Sequence, residues 1–293
     1  MQRSSETLNC SHAGRAVSNL LCKTARMTRP LELHRLDAAA LSGVIGVMTD
    51  IDDTLTSDGR LDPAAKDALD ALHQAGVPVI AITGRPMGWS RPFALEWPLA
   101  AIVAENGAVA LLREVDGLRV EYAQDEATRA LNAQRLQAVA QRVLAEVSGT
   151  TLARDSAGRV TDIAIDHAEF AQLAPAQIHR VVNLMQAAGM NATVSSIHIN
   201  GWYGEHSKLS GARWIVRRLY GRDLDAELQR WVYVGDSSND QLMFGSFALS
   251  VGVANLLVFA AQLHTWPAYI TVSERGAGFA EIAAAVIAAR SGQ

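Results

Sequence analysis

Val44-Ile45-Gly46-Val47-Met48-Thr49-Asp50-Ile51-Asp52-Asp53-Thr54-Leu55-Thr56 is the stretch around which the rest of the chain is organised. A short apolar run behind Gly43, rich in β-branched residues, predicts a buried strand. It runs into three carboxylates, Asp50, Asp52 and Asp53, within four positions. Side chains alternate along extended chain, so Asp50 and Asp52 can point the same way off the strand's end. Like charges that close repel, and folding tolerates them only with a cation or a shared proton between them. A hard divalent ion such as Mg²⁺ suits the place, because it takes oxygen ligands and keeps coordination positions free for a phosphate.

Downstream, Asp62 can N-cap a helix with Pro63 in its first turn. Ala65, Ala68, Leu69 and Leu72 form its apolar stripe, and Gly76 fits the far end. Val77 to Ile82 then predicts a second buried strand, ending at Thr83-Gly84-Arg85. Strand, helix and strand in such short order make a βαβ unit with parallel strands. Ala101 to Ala104 predicts another core strand, followed by a tight turn at Glu105-Asn106-Gly107.

From 108 to 203 the texture changes. Asp116-Gly117 between two apolar runs predicts a hairpin. A helix is expected over about 125–147, with Leu131, Val139, Val143 and Val147 inside. Strand-like 160–165, a helix at 175–188 and an alternating 192–203 follow. Hairpin strands with helices between them suggest an inserted α+β module. The parallel pattern then returns: a helix after Ser207, a strand Trp231 to Gly235 ending at Asp236, strands near 247–253 and 269–272, and a closing helix over 279–290. The expectation is an α/β, doubly wound Rossmann-like core over 44–107 and 204–293, an inserted cap over 108–203, and an N-terminal arm over 1–43.

With 293 residues, 49% hydrophobic and 19% charged, the chain is expected to be globular. A net charge of −4 offers no basic field for nucleic acid. No apolar stretch is long enough to cross a bilayer. Cys10 and Cys22, the two cysteines, both precede the first strand, so the body forms no disulfide, which suits a cytoplasmic location. Residues 1–30 are basic and rich in Ser and Thr; they read as an unpacked arm or an overlong start with Met27 as initiator, rather than a transit-like leader.

Ligands of doubly wound sheets bind beyond the carboxyl ends of the strands. Those ends carry Asp50 and Asp52, Thr83, the stretch before Lys208, and Asp236 with Asn239 and Asp240. Together they supply a nucleophile, an acid/base, a hydroxyl donor, a cation and metal-binding carboxylates, the parts of phosphoryl transfer. No Gly-x-Ser-x-Gly elbow, Walker loop or Gly-x-Gly-x-x-Gly offers a rival chemistry.

These stretches resemble the four motifs of the haloacid dehalogenase-like (HAD) phosphohydrolases: Asp50-Ile51-Asp52-Asp53-Thr54-Leu55, Ile82-Thr83-Gly84-Arg85, Lys208 in His206-Ser207-Lys208-Leu209, and Gly235-Asp236-Ser237-Ser238-Asn239-Asp240. The insert and Glu105-Asn106-Gly107-Ala108 are similar to subfamily IIB, with its C2B cap. That subfamily includes Cof-type, sucrose-phosphate and mannosyl-3-phosphoglycerate phosphatases and phosphomannomutases. The resemblance implies that Asp50 attacks phosphorus and that Asp52 protonates the leaving alcohol and then activates water. It implies Mg²⁺ held by Asp50, Asp236 and the Asp52 carbonyl. Thr83 would bind a phosphoryl oxygen and Lys208 would balance charge. Asn239 and Asp240 would order Lys208 and metal-bound water, or Asp240 would touch the metal. Gly84, Arg85, Asn106 and Trp202 are the candidate substrate contacts.

Each of these also has a plain structural reading. Asp-rich strand ends serve as turns and caps, and Thr83-Gly84 as a strand exit. Taken by itself, Lys208 reads sooner as a solvated first-turn lysine, Trp202 at least as readily as core, and Arg85 or Arg91 as a partner for Glu96. The expected function is a Mg²⁺-dependent phosphatase acting on a small phosphorylated metabolite, of sugar phosphate or glycosyl-phosphoglycerate type, through an aspartyl-phosphate. The alternatives are a sugar phosphomutase of phosphomannomutase type and a non-catalytic phosphate-binding or phosphoacceptor protein.

Overall fold

A computed structural model describes residues 29–291; the leader and both cysteines lie outside the described residues. In chain order the strands are β1 (Leu31–Glu32), β2 (Gly46–Thr49), β3 (Thr56–Ser57), β4 (Arg60–Leu61), β5 (Val79–Ile82), β6 (Ala101–Ala104), β7 (Val109–Glu114), β8 (Gly117–Tyr122), β9 (Thr151–Leu152), β10 (Asp162–Asp166), β11 (Asn191–Val194), β12 (His198–Trp202), β13 (Trp231–Gly235), β14 (Leu249–Gly252) and β15 (Tyr269–Ile270). The helices are α1 (Ala38–Ser42), α2 (Pro63–Gln74), α3 (Met87–Glu96), α4 (Glu126–Glu146), α5 (Pro175–Ala187), α6 (Lys208–Tyr220), α7 (Gln241–Ser246) and α8 (Arg275–Ser291). The Asp62 side chain caps α2, with Pro63 in the first turn, and Ser207 caps α6 with a reciprocal Ser210 bond.

The main sheet has nine strands in the order β1-β15-β14-β13-β2-β5-β6-β7-β8. From β1 through β6 all neighbours are parallel; β7 and β8 are antiparallel. Alternation sends each strand's side chains to two cores. Val47, Val79, Ala81, Val232 and Val234 face α2 and α8, while Met48, Ile80, Ile82 and Tyr233 face α6 and α7. The chain runs from β2 outward to β5 and β6, then returns to β13 on the opposite side of β2. That reversal leaves a crevice beyond the carboxyl ends of β2 and β13, where Asp50 and Asp236 stand.

Two boundaries differ from the sequence expectation. The hairpin Val109 to Tyr122, expected in the insert, extends the main sheet: β7 pairs with β6 in the register Ile102↔Leu111 and Ala104↔Val109. Val109 to Leu112 are all buried, so this strand covers what would otherwise be an apolar edge. The arm is packed from Leu31 onward. β1 continues the sheet beyond β15, and Leu33 and Leu41 bury beside α8.

The inserted module is a four-stranded sheet, β11-β12-β10-β9, with α4 and α5 against it. Its core holds Leu136, Val139, Val143, Val181, Met185, Ile199 and Tyr203. Leu131, expected inside, is exposed, because the buried stripe of α4 starts at Asn132 and Leu136.

Candidate active site

The strands deliver the acidic groups to one place. Asp50 leaves β2 with its N–H on Val234 O, which ties the first carboxylate to the strand that ends at Asp236. Oxygens of Asp50, Asp236 and Asp240 all lie within 4.8 Å of one another, and all three side chains are buried. Lys208, the first residue of α6, places Nζ 3.0 Å from Asp50 Oδ1, 2.8 Å from Asp240 Oδ1 and 3.4 Å from Asn239 Oδ1. It is buried, so the solvated-lysine reading does not hold.

Three buried carboxylates around one ammonium leave an excess of negative charge. Burial, reinforced by Asp240 and Asp52 and opposed by Lys208, pushes the Asp50 carboxyl up to about 7. Burial, with Asp240 and Asp50 beside it, holds Asp236 well above the usual carboxylate range. For Lys208, burial would lower the pKa, but Asp240 and Asp50 outweigh it and hold the ammonium above its ordinary value.

The donor set fits a hard divalent cation. Asp236 meets only distant neutral donors, Thr54 Oγ1 at 3.3 Å and Asn255 Nδ2 at 3.5 Å, and so keeps lone pairs for an ion. Asp240 does not. Its Oδ1 accepts from Lys208 and the Tyr233 hydroxyl, and its Oδ2 from the Asp236 and Ser237 N–H groups. It shapes the loop and positions Lys208, although it lies close enough to be a ligand.

Thr83, buried at the end of β5, accepts the Arg85 N–H at 3.0 Å. A Cβ at Gly84 would stand 3.2 Å from Asn200 Oδ1 and 3.4 Å from Asn106 Oδ1, so glycine lets three elements converge there. Asn106 sits at φ 55 and donates its N–H to Thr83 O at 2.9 Å. Gly107 is obligatory, because a Cβ there would meet Ser207 O at 2.1 Å. Trp202 is buried and donates its indole N–H to His206 O at 2.9 Å.

Arg85 is placed differently from either sequence reading. Its Nε lies 2.9 Å from both Asp52 oxygens and its Nη2 2.8 Å from Asp52 Oδ1. The rest of the guanidinium reaches Asp155 at 3.2 Å and Glu169 at 2.9 Å, both on the inserted module. Burial opposes its charge, but Asp52 and Glu169 hold it above the ordinary arginine value. Glu96 is not its partner, and Arg91 contacts Met87 instead.

Several residues were missed from sequence. Glu105 receives Met87 N, Val160 N, Thr161 N and the Thr161 hydroxyl, which joins the main sheet to the insert. Arg159 donates to Gly84 O at 2.9 Å while paired with Asp162. Asp155, Glu169 and Tyr233 complete the polar shell. Loop carboxylates carry no periodicity that could have marked them; the one legible cue was the Glu105-Asn106-Gly107 turn, whose residues all have positive φ.

Residues 47–138 match the family model for haloacid dehalogenase-like hydrolase. No curated protein matches the chain. Among solved structures, the chain is similar to protein 0175 of Thermoplasma acidophilum (TM-score 0.63, 14% identity, 83% of this chain and 98% of that one). It is also similar to the sucrose-phosphatase of Synechocystis sp., solved with sucrose and phosphate (TM-score 0.59, 16% identity, 83% and 97%). A third likeness is to the C-terminal domain of the C. albicans trehalose-6-phosphate phosphatase (TM-score 0.59, 13% identity, 90% and 99%). No helix among the described residues is long and apolar enough to cross a membrane. Over residues 47–138, which hold the first two of the converging motifs, the chain matches the haloacid dehalogenase-like hydrolase family, and over most of its length it shares the fold of these solved structures.

Proposed function

We propose that the protein is a Mg²⁺-dependent phosphatase that hydrolyses a small sugar phosphate through an aspartyl-phosphate. The observation that carries this is the convergence of Asp50, Lys208 and Asp236 at the strand ends, with Lys208 Nζ 3.0 Å from the Asp50 carboxylate. Asp50 and Asp236 would hold the ion, which, when bound, neutralises the phosphoryl oxygens and keeps the buried carboxylates ionised.

The chain's own groups do the rest. Asp50 is the nucleophile, and Lys208 offsets its charge as it approaches an anionic phosphorus. Thr83 Oγ1, which accepts the Arg85 N–H, would turn its own hydroxyl proton to a transferring oxygen. Asp52, gripped by Arg85, gives a proton to the departing alkoxide and later takes one from the attacking water. The inserted module acts as a cap that excludes bulk water, its Asp155, Arg159 and Glu169 closing over Arg85 and Gly84. Sugar phosphatases among the structural relatives support a sugar ester as substrate.

The test is free-phosphate release from a panel of phosphorylated metabolites with and without Mg²⁺. Turnover should require the ion. Asp50→Asn should lower it by about three orders of magnitude or more while circular dichroism stays native. Undiminished turnover in that variant would remove Asp50 as nucleophile.

A further inference from the structure

The Arg85 guanidinium has more edges than Asp52 can use. Nε and Nη2 meet Asp52, while Nη1 reaches Asp155 Oδ2 at 3.2 Å and Nη2 also reaches Glu169 Oε1 at 2.9 Å. Asp155 and Glu169 both come from the inserted module. Asp52 alone already balances the arginine charge, so the second and third carboxylates add like charge around it. What they supply is direction, because a planar fork held on several edges cannot turn. The Trp89 ring, with Arg85 Cζ 4.8 Å from its centroid, covers one face of the plane.

Glu169 is itself aimed. β10 and β12 pair antiparallel in a register that sets Asp166 opposite His198. Asp166 ends β10 and accepts the Glu169 N–H at 2.9 Å and the Phe170 N–H at 3.0 Å, which winds the following loop around it. Glu169 Oε2 then meets His198 Nε2 at 2.9 Å. Burial opposes the Glu169 charge, but the His198 bond and the Arg85 charge outweigh it and hold the carboxyl down at about 2. An ionised carboxylate only accepts, so His198 Nε2 carries a proton and donates it. His198 is 2% exposed, and its backbone N–H is fixed on Ser195 Oγ at 3.0 Å. The series His198, Glu169, Arg85, Asp52 therefore runs from cap to core with no link longer than 2.9 Å. Asp52, Arg85 and Glu169 also border one cavity of about 430 Å³, lined by core and cap alike.

We infer that Glu169, held by His198, is a positioning residue: acting through Arg85, it aims the Asp52 carboxyl at the leaving oxygen, and it does so only while the cap is seated. The inference rests on the phosphatase reading above and adds that seating the cap assembles the acid. As the phosphoryl group passes to Asp50, the P–O bond breaks, its electron pair stays on the leaving oxygen, and that oxygen takes the Asp52 proton. An alkoxide needs this proton, whereas p-nitrophenolate departs as a stable anion without it.

The experiment compares kcat/KM for the alkyl phosphate that the parent turns over best with kcat/KM for p-nitrophenyl phosphate. This constant covers the steps up to departure of the alcohol and not the later hydrolysis of the aspartyl-phosphate. In Glu169→Gln the alkyl-to-aryl ratio should fall at least tenfold, through kcat for the alkyl ester and with little change in its KM. His198→Phe should lower the ratio severalfold, and His198→Gln, whose amide N–H can replace the Nε2 donor, should restore most of it. Placed in an Arg85→Lys background, Glu169→Gln should lower the ratio less than twofold further, because its effect passes through Arg85. An unmoved ratio in folded Glu169→Gln and His198→Phe, an equal loss for both esters, a loss confined to KM, or a full further loss in the Arg85→Lys background each overturns the inference while leaving the phosphatase reading intact. A parent that hydrolyses no ester removes the phosphatase reading, and this inference with it.

Discussion

Arg85 spends its guanidinium on carboxylates, one of them Asp52, the acid/base of the proposed reaction, which it meets through both Nε and Nη2. A planar fork fixes the direction of a carboxyl group in a way a point charge cannot. Arg85→Lys keeps the charge and loses the fork. It should lower kcat by about 10- to 100-fold, the scale of a misplaced catalytic group, with KM little changed. Had Arg85 served to bind an anionic substrate, the same change would raise KM and leave kcat alone, so steady-state kinetics separate the two. The converging residues were legible because phosphoryl transfer would demand carboxylates, a hydroxyl and a lysine at strand ends, and strands can be read from periodicity. Their supports were not. Asp155 and Glu169 reach Arg85 across roughly 70 and 84 positions of sequence, and nothing local announces that distance closing.

At the scale of elements, the turn after β6 joins core to cap. Glu105 is fully buried, and its two oxygens accept from the start of α3 and from Val160 and Thr161 before β10. Burial first, and the Asp162 charge second, lift its pKa from 4.5 to about 6 against those donated bonds. The folded protein therefore holds this proton more tightly than the unfolded chain does. The stability it contributes is complete below pH 4.5 and is lost as pH rises through 6. Glu105→Gln mimics the protonated form at all pH values. Relative to the parent, it should gain on the order of 2 kcal/mol between pH 4.5 and 7.5, the worth of a carboxyl raised from 4.5 to about 6. Urea unfolding of both proteins at the two pH values would read it; a constant difference would show that Glu105 carries no shifted proton. Element identities followed from pattern, but allegiance did not. Asp116-Gly117 announced a hairpin without saying which sheet it would join. The cue lay in Val109 to Leu112, an unbroken apolar run of the kind buried on both faces, where a strand with one solvated face alternates.

Across the whole molecule, the cap is held down on three sides of the crevice. Arg85 and Glu105 bind it on one, Arg159 reaches Gly84 O over the centre, and Ser238 Oγ donates to Val194 O on the far edge. In the proposed reaction, a leaving group enclosed by these contacts would depart only when some of them open, so the fit of cap to core would set both access and release. Backbone meets backbone between Gly88 in α3 and Gly158 in the cap, where a Cβ on Gly88 would stand 2.7 Å from Gly158 Cα. Gly88→Ala is therefore a wedge with no backbone penalty, because alanine is favoured over glycine inside a helix by about 1 kcal/mol. The core should keep its melting temperature or gain slightly, while the cap is pushed off its seat. Amide exchange over residues 155–162 should speed up, and kcat/KM for a sugar phosphate should fall about tenfold as the assembled site becomes a minority state. Slow exchange there with full kcat/KM would mean that the glycine pair is spacing without consequence, and that closure is governed by the charged contacts alone.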